Sequence, residues 1–493
     1  MKRNALTYLL LPFLLALLVT ACKDDTLPAS PAEEEEAGSG VYVSVVVNTG
    51  GSNASRVPTP GEDGDLPKQP GTGDENMVHD LNVFFFQGDD GINSDANTKI
   101  THCLYFSQDN NNLFGGIGQG DYDAVYYSAT EDVSDKLQIG ERYNVLVIAN
   151  AGDLSNNATL QTLGNLRDYQ VSETITDDGY FLMSSESDAL IDIKANTPAT
   201  AEQVSVNIER MTARVDCRVL KKYEVTNSED KVQITHATLT NKHRVQTYAF
   251  KRVTTGISGA DLNAVVYLDP EKVSEEKKAS NYVIDPYTLT NRDSERTYDI
   301  PYFNLETILE ESGGTELWNG WKPLTGVDSF SQDEDDYTKL DYTDENVVLN
   351  ERLTMSNTTG VVFKAKYVPN ESSSYALDGT FYIYQGVFYP SLEEIKKQFQ
   401  LEELTENNYP NYGIKCYDKG ICYYTYWIRH ANDEDETVFS PMEYAIVRNN
   451  IYQLTVKSIS RLGSNTPDDS EIDLSLDVVV IRAGEVENEV VFD

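Results

Sequence analysis

The chain is poor in positive charge. Its 493 residues hold 39 lysines and arginines against 80 aspartates and glutamates, which gives a formal net charge of −41. A surface of that sign repels phosphate backbones, so nucleic acid is excluded as a partner and solubility outside the cell is favoured. Histidine is scarce as well. The five present, His79, His102, His236, His243 and His430, are scattered, and none sits in a metal-ligand or nucleophile motif. Ser184-Ser185 lacks the Gly-x-Ser-x-Gly elbow, and carboxylates are too abundant for any pair to stand out as a glycosidase dyad. No catalytic residue, metal site or cofactor is expected, and the chain reads as a non-enzyme.

Cysteine is sparse too, with five in all. No spacing among them suggests zinc or an iron cluster. Cys416 and Cys422 flank the turn Asp418-Lys419-Gly420 and form the candidate hairpin disulfide of an exported protein, while Cys103 and Cys217 lie far apart. Long apolar runs are missing except at the start. Lys2 and Arg3 precede an apolar segment from Leu9 to Val19, which is shorter than the roughly 20 residues of a membrane-spanning helix. Leu18-Val19-Thr20-Ala21-Cys22 then resembles the bacterial lipobox, so residues 1–21 read as a signal peptide and Cys22 as a lipidated first residue. Lys23-Asp24-Asp25 looks like a surface-export signal, and Pro28 to Gly40, with Glu33 to Glu36, reads as an acidic tether.

What is present in quantity is tyrosine, 31 residues of it, together with Gly, Pro, Asn, Asp, Ser and Thr scattered throughout. That composition is β-rich, and the length calls for two domains after the leader. Val41, Val43, Val45 and Val47 fall on one face at period two, the mark of a half-buried strand that needs a partner sheet. Behind them runs a series of turn-formers through Gly61, with Arg56 the sole basic residue between Lys23 and Lys68. A trypsin-like protease has one obvious place to cut, between Arg56 and Val57. The alternative reading of Arg56 is a solvated loop arginine.

Further strands are expected at Asp80–Phe86 and Arg142–Asn150, both apolar on two faces and hence central, at Val204–Ile208, Val232–Thr240 and Val245–Phe250, and at Tyr423–Ile428 and Glu443–Val447. Asn450–Ile459 and Ile472–Val480 continue the series, and Val486–Phe492 gives a weaker last strand. Leu160, Leu163 and Leu166 predict a short helix over 158–166, and the capping box at Ser391 predicts a second one. The run Asp333-Glu334-Asp335-Asp336 lacks the regular calcium-loop pattern and reads as a solvated acidic loop.

Several of these segments together resemble the fimbrillin family, the subunits of bacterial type V pili, and in particular the short-fimbria major subunits. They are the lipobox at Cys22, the strand ending at Arg56, Tyr143–Asn150, Phe181–Ser184 and Glu209–Val215. The most specific is Cys422–His430 continuing through Met442–Tyr452. The resemblance implies two transthyretin-like β-sandwich domains, 57–212 and 213–493, behind a propeptide spanning 22–56. It also implies a lipidated precursor at the outer membrane, cut after Arg56 by an arginine-specific protease. The cut subunit would polymerise with other copies of itself and accessory fimbrial subunits into an extracellular fimbria, with host or bacterial surface ligands as adhesion partners.

Physics supports the exchange step. Losing four buried valines costs on the order of 10 kcal/mol, comparable with the stability of a whole domain, so the vacated groove must be refilled. The best filler is the C-terminal strand of another subunit, within 472–492, because Leu474, Leu476, Val478 and Val480 repeat at the same period. Whether 474–481, 486–492 or both donate stays open, as does the alternative that 472–481 is an ordinary last strand. The rival function is a non-polymerising surface lipoprotein that binds glycan or host protein, with Tyr423, Tyr424, Tyr426 and Trp427 able to stack on sugars, although alternating aromatics are more often core packing.

Overall fold

Runs of β-branched and aromatic residues at period two become strands along most of the chain, and the fold is mainly β. The computed structural model describes residues 40–49, 68–69, 73–116, 124–243, 246–254, 265–266, 282–286, 302–303, 320–330, 336–347, 357–370, 379–430, 443–467 and 474–483. In chain order the first strands are β1 (Tyr42–Asn48), β2 (Lys68–Gln69), β3 (Asp80–Phe86), β4 (Ile100–Ser107) and β5 (Leu113–Gly116). Next come β6 (Val125–Ser128), β7 (Glu131–Asp132), β8 (Arg142–Ala149) and the short β9 (Gln170–Val171). Then follow β10 (Met183–Ser185), β11 (Ala189–Asp192), β12 (Glu202–Arg210) and β13 (Thr212–Arg218).

Ten of them form one sheet in the order β4-β3-β8-β10-β12-β1-β6-β5, with β11 beside β8 and β7 beside β1. Every residue of β3 is buried, as its two apolar faces require. One core, containing Val43, Val45, Val83, Phe85, Val145, Val147, Val204 and Val206, lies under one face of this sheet. A second cluster, with Phe84, Phe86, Leu146, Ile148, Leu163 and Leu166, covers the other.

The chain leaves this sheet through the single buried residue Met211, which separates β12 from β13. From there two further sheets enclose a third core. One has the order β2, Leu474–Ala483, Asn450–Ile459, β13, Thr338–Asp344. The other runs Tyr223–Glu224, Lys231–Thr240, Gly360–Val368, Ile421–Trp427. Val215, Leu454 and Val456 from the first meet Ile234, Phe363 and Tyr424 from the second, which is β-sandwich packing.

Four expectations change. Of the strand expected at Val245–Phe250 only Thr247–Tyr248 forms one, and Val245 lies outside the described residues. Over 158–166 only the last part is helical, and the helix is Leu163–Arg167. Asn157 accepts from Thr159 N at 2.9 Å and turns the chain there, and Thr162 accepts from Asn165 N at 3.3 Å and starts the helix after itself. The expected strand at Glu443–Val447 is a turn with one bridge, Asn346↔Ile446, because the buried Tyr452 hydroxyl accepts from Val447 N at 2.9 Å and Asn449 adopts a φ of 56°. Cys416 and Cys422 are not bridged. All four described cysteines are thiols. Cys416 lies opposite Tyr382 and Cys422 opposite Ala365, so the turn between them hands the chain from one sheet to another and the two are never cross-strand neighbours. Burial pushes the Cys422 thiol up to about 12.

One carboxylate is placed at a cost. Asp188 accepts from Ile92 N through both oxygens, at 3.2 and 3.1 Å, and a side chain at Gly91, whose φ is 52°, would collide with it. Burial, reinforced by the Asp90 charge, raises its pKa to about 6. The folded chain therefore holds a proton that the unfolded chain releases near 4, and stability falls as pH rises from about 4 to 6. Asp188→Asn keeps an acceptor for Ile92 N and never ionises. It should be more stable than the parent by about 1–2 kcal/mol at pH 7 and no different at pH 4, measured by denaturant unfolding. An equal difference at both pH values would contradict this.

Candidate functional site

The four valines Val41, Val43, Val45 and Val47 are all buried, and the strand they define lies inside a sheet instead of along its edge. On one side β1 pairs parallel with β12, from Val43↔Glu202 to Asn48↔Asn207. On the other it pairs antiparallel with β6, Val46↔Tyr127 among the pairs, and with β7, Tyr42↔Asp132. Because β1 separates β12 from β6, its removal would leave a slot with two rows of unpaired main-chain groups and an opened core beneath. At about 1.5–3 kcal/mol for each buried valine, the strand contributes on the order of 10 kcal/mol, an upper figure because the unfolded chain already buries some surface. Val46 adds to this from the opposite face, where it is 8% exposed.

Side chains outside the ladder also hold the backbone of β1. Asn196 is buried, accepts from Tyr42 N at 2.6 Å and donates to Tyr42 O at 2.9 Å, while its own amide donates to Gly40 O at 2.9 Å. Ser134 Oγ accepts from Val41 N at 2.8 Å, and Ser128 Oγ accepts from Val45 N at 2.9 Å. The hydroxyl and amide of Ser134 in turn hold the Asp132 carboxyl below the usual carboxylate range. At the far end Asn48 donates to Ser205 Oγ and Asn207 Oδ1, both at 3.1 Å, and Thr49 N donates to Ala124 O at 3.1 Å. The contacts from Asn196, Ser134 and Ser128 engage the main chain of 41–45 and so accept any side chain there except proline. Sequence reading missed Asn196, Ser128 and Ser134. Isolated asparagines and serines in a chain full of them give no local signal.

Cys22, Arg56 and Val57 lie outside the described residues, as do Asp333 to Asp335 and the last expected strand, 486–492. Leu474, Leu476, Val478 and Val480 fall on Leu474–Ala483, which pairs antiparallel with Asn450–Ile459: Leu474↔Ile459, Leu476↔Val456, Val478↔Leu454, Val480↔Tyr452. Its other side meets only β2, through Lys68↔Arg482 and Gln69↔Ala483, among the described residues. The segment that carries Arg56 thus connects β1, in the first sheet, to β2, beside the C-terminal strand.

Tyr424 and Trp427 are buried, and the Tyr424 hydroxyl donates to Arg461 O at 3.0 Å, so these two are core, while Tyr423 and Tyr426 are half-buried. His430, three residues past the strand Ile421–Trp427, is buried, with Nδ1 2.9 Å from the Tyr452 hydroxyl. Among the described residues no group of three or more His, Cys, Asp or Glu could hold a metal ion, and no helix is long and apolar enough to cross a membrane. A cleft of about 560 Å³ is lined by His79, Asp80, Tyr169, Glu173 and Tyr180. Its groups are committed to one another: the His79 ring stacks on Tyr180 at 5.0 Å, and Asp80 accepts from Gly152 N at 3.1 Å.

Residues 415–484 match the family described as major fimbrial subunit protein type IV, fimbrillin, C-terminal. The fimbrillin resemblance centred on Cys422–Tyr452 is therefore found in that part of the chain. No curated protein matches in sequence. Among solved structures, a fimbrilin (fimA) from Porphyromonas gingivalis is 11% identical, with 91% of this chain and 99% of that one covered at a TM-score of 0.38. The tip fimbrial protein Mfa3 from the same organism, with C-terminal truncation, is 11% identical over 90% and 99% at 0.35. A candidate cell adhesion protein from Parabacteroides distasonis is 14% identical over 90% and 100% at 0.45.

Proposed function

We propose, on the premise that residues 415–484 are fimbrillin in sequence, that this chain is a structural, non-enzymatic subunit of a bacterial surface fimbria. In this reading it is exported as a lipoprotein precursor anchored in the outer membrane through Cys22. An arginine-specific protease cuts after Arg56, and the subunits polymerise by strand exchange with copies of themselves and accessory subunits, in support of adhesion. The observation that carries the reading is the place of β1 between β12 and β6, with its four valines in the core. A strand so placed stabilises the chain while present and leaves a strand-shaped slot when withdrawn. Refilling that slot joins two chains by main-chain hydrogen bonds and side-chain pockets. The C-terminal strand supplies the filler, because among the described residues its neighbours are one full strand and a two-residue one.

Purified precursor treated with an arginine-specific protease should give ladders of SDS-resistant oligomers. A chain ending at Ile472 should be cut equally well and stay monomeric. A trimmed full-length chain that remains monomeric would sink the proposal in favour of a surface lipoprotein that binds without polymerising, and ladders from the truncated chain would rule out a C-terminal donor.

A further inference from the structure

A slot lined by four valine positions at period two tolerates slippage, since shifting the occupant by two residues keeps its apolar face inward. Two features of this slot remove the ambiguity. The first is Val46. Its neighbours on the outward face, Tyr42, Ser44 and Asn48, are half-buried, but Val46 is buried, so a charge is excluded at that position as well as at the four inward ones. The second is Asn196, whose amide grips both the N–H and the C=O of Tyr42, so that an outward-facing residue must stand there.

The C-terminal strand reads Leu474-Ser475-Leu476-Asp477-Val478-Val479-Val480-Ile481-Arg482. Laid parallel over 41–48 with Leu474 at the Val41 position, it puts Val478-Val479-Val480 onto Val45-Val46-Val47 and Asp477 at half-buried Ser44. Moving it two residues one way puts Asp477 at the Val46 position. Moving it two the other way puts Arg482 at the Val47 position. A shift of one brings Asp477 to an inward position, and an antiparallel lay that keeps the four apolar side chains inward puts the Ser475 hydroxyl, in place of a valine, at the buried Val46 position. Without proline, the strand offers main-chain N–H groups at Leu474, Ser475 and Val478 where Ser134, Asn196 and Ser128 now receive those of Val41, Tyr42 and Val45.

Resting on the strand-exchange reading above, we propose that residues 474–481 of an incoming copy occupy the slot in the register and direction of 41–48. In that complex Asn196 is the positioning residue that clasps the backbone of Ser475. It replaces the clasp on Tyr42 with an equivalent one, so precursor and polymer share a single register.

Paired cysteine substitutions read the register. Val46 lies opposite Tyr127, so a chain carrying Val479→Cys and Tyr127→Cys should form inter-subunit disulfides in the cleaved polymer. A chain carrying Asp477→Cys and Tyr127→Cys should not. Equal yields from the two, or polymer with no Val479–Tyr127 cross-link, overturn the register. The clasp is read separately in the uncut precursor, which needs no polymerisation. There Asn196→Ala, and the isosteric Asn196→Asp that has no N–H to offer Tyr42 O, should each speed amide hydrogen exchange at Tyr42 and Val43 about tenfold, the loss of one or two buried hydrogen bonds. Unchanged exchange in both variants overturns the clasp. Failure of the cleaved parent chain to polymerise would instead strike the strand-exchange reading itself.

Discussion

The Arg56→Ala precursor should remain monomeric when an arginine-specific protease is added, under conditions in which the parent chain forms SDS-resistant ladders. Arg56 is the sole basic residue between Lys23 and Lys68, so its loss leaves such an enzyme nothing to cut between β1 and β2. While that connection is intact, β1 is tethered to its slot, and the high effective concentration returns it each time it opens. Its burial, on the order of 10 kcal/mol, then acts entirely against an incoming strand. After the cut β1 can diffuse away, and a donor competes on equal terms. The difference is all or none: ladders and a new N-terminus at Val57 for the parent, neither for the variant. Ladders from Arg56→Ala of the same length and yield would show that exchange needs no cut there.

Arg448→Met should destabilise the chain by about 3–5 kcal/mol, the largest effect expected of a single substitution away from the slot, because it strands a buried carboxylate. Arg448 and Glu345 are both fully buried, with Nη2 2.6 Å from Oε2. The same guanidinium donates to Ala249 O at 2.9 Å and to Tyr248 O at 2.6 Å. Ala249 and Phe250 belong to the cluster that covers the first sheet, whereas Arg448 lies two residues before Asn450, the start of the strand Asn450–Ile459 of the second half, so one side chain ties the two halves. Burial already raises the Glu345 pKa against the pull of Arg448. Without the arginine it rises further, the group folds protonated, and the loss shrinks as pH falls toward the ordinary glutamate value. Denaturant unfolding should show the full loss at pH 7, a smaller one at pH 5, and substantial recovery in the Arg448→Met, Glu345→Gln double variant. A cost under about 1 kcal/mol at pH 7 would mean the pair is not buried as described.

Legibility followed the range of the interactions concerned. Asp80–Phe86 and Arg142–Ala149 were readable as central strands because apolar residues on both faces can satisfy themselves only between two layers. Ser391 was readable as a cap because its hydroxyl reaches only to Glu394 N. Glu443–Val447 was misread because a hydroxyl on another strand, Tyr452, takes the amide that a ladder would have used. The Cys416–Cys422 pairing failed for a similar reason. Sequence proximity says nothing of which sheet each flanking strand joins.

For the stretch from Val41 to Arg56 the division is sharp. The sequence alone determined that 41–47 is a strand with one apolar face, that turn-formers and a lone arginine follow it, and that the C-terminal strand repeats its period. These are local facts, written in periodicity and side-chain type. Only the tertiary structure decided that β1 lies between β12 and β6 and runs parallel to β12, and that Asn196, Ser128 and Ser134 hold its backbone. The physical reason is that period two fixes which face of a strand is buried but not which strands flank it. Every main chain offers the same donors and acceptors, so the choice of neighbours is made by packing between residues far apart in the chain.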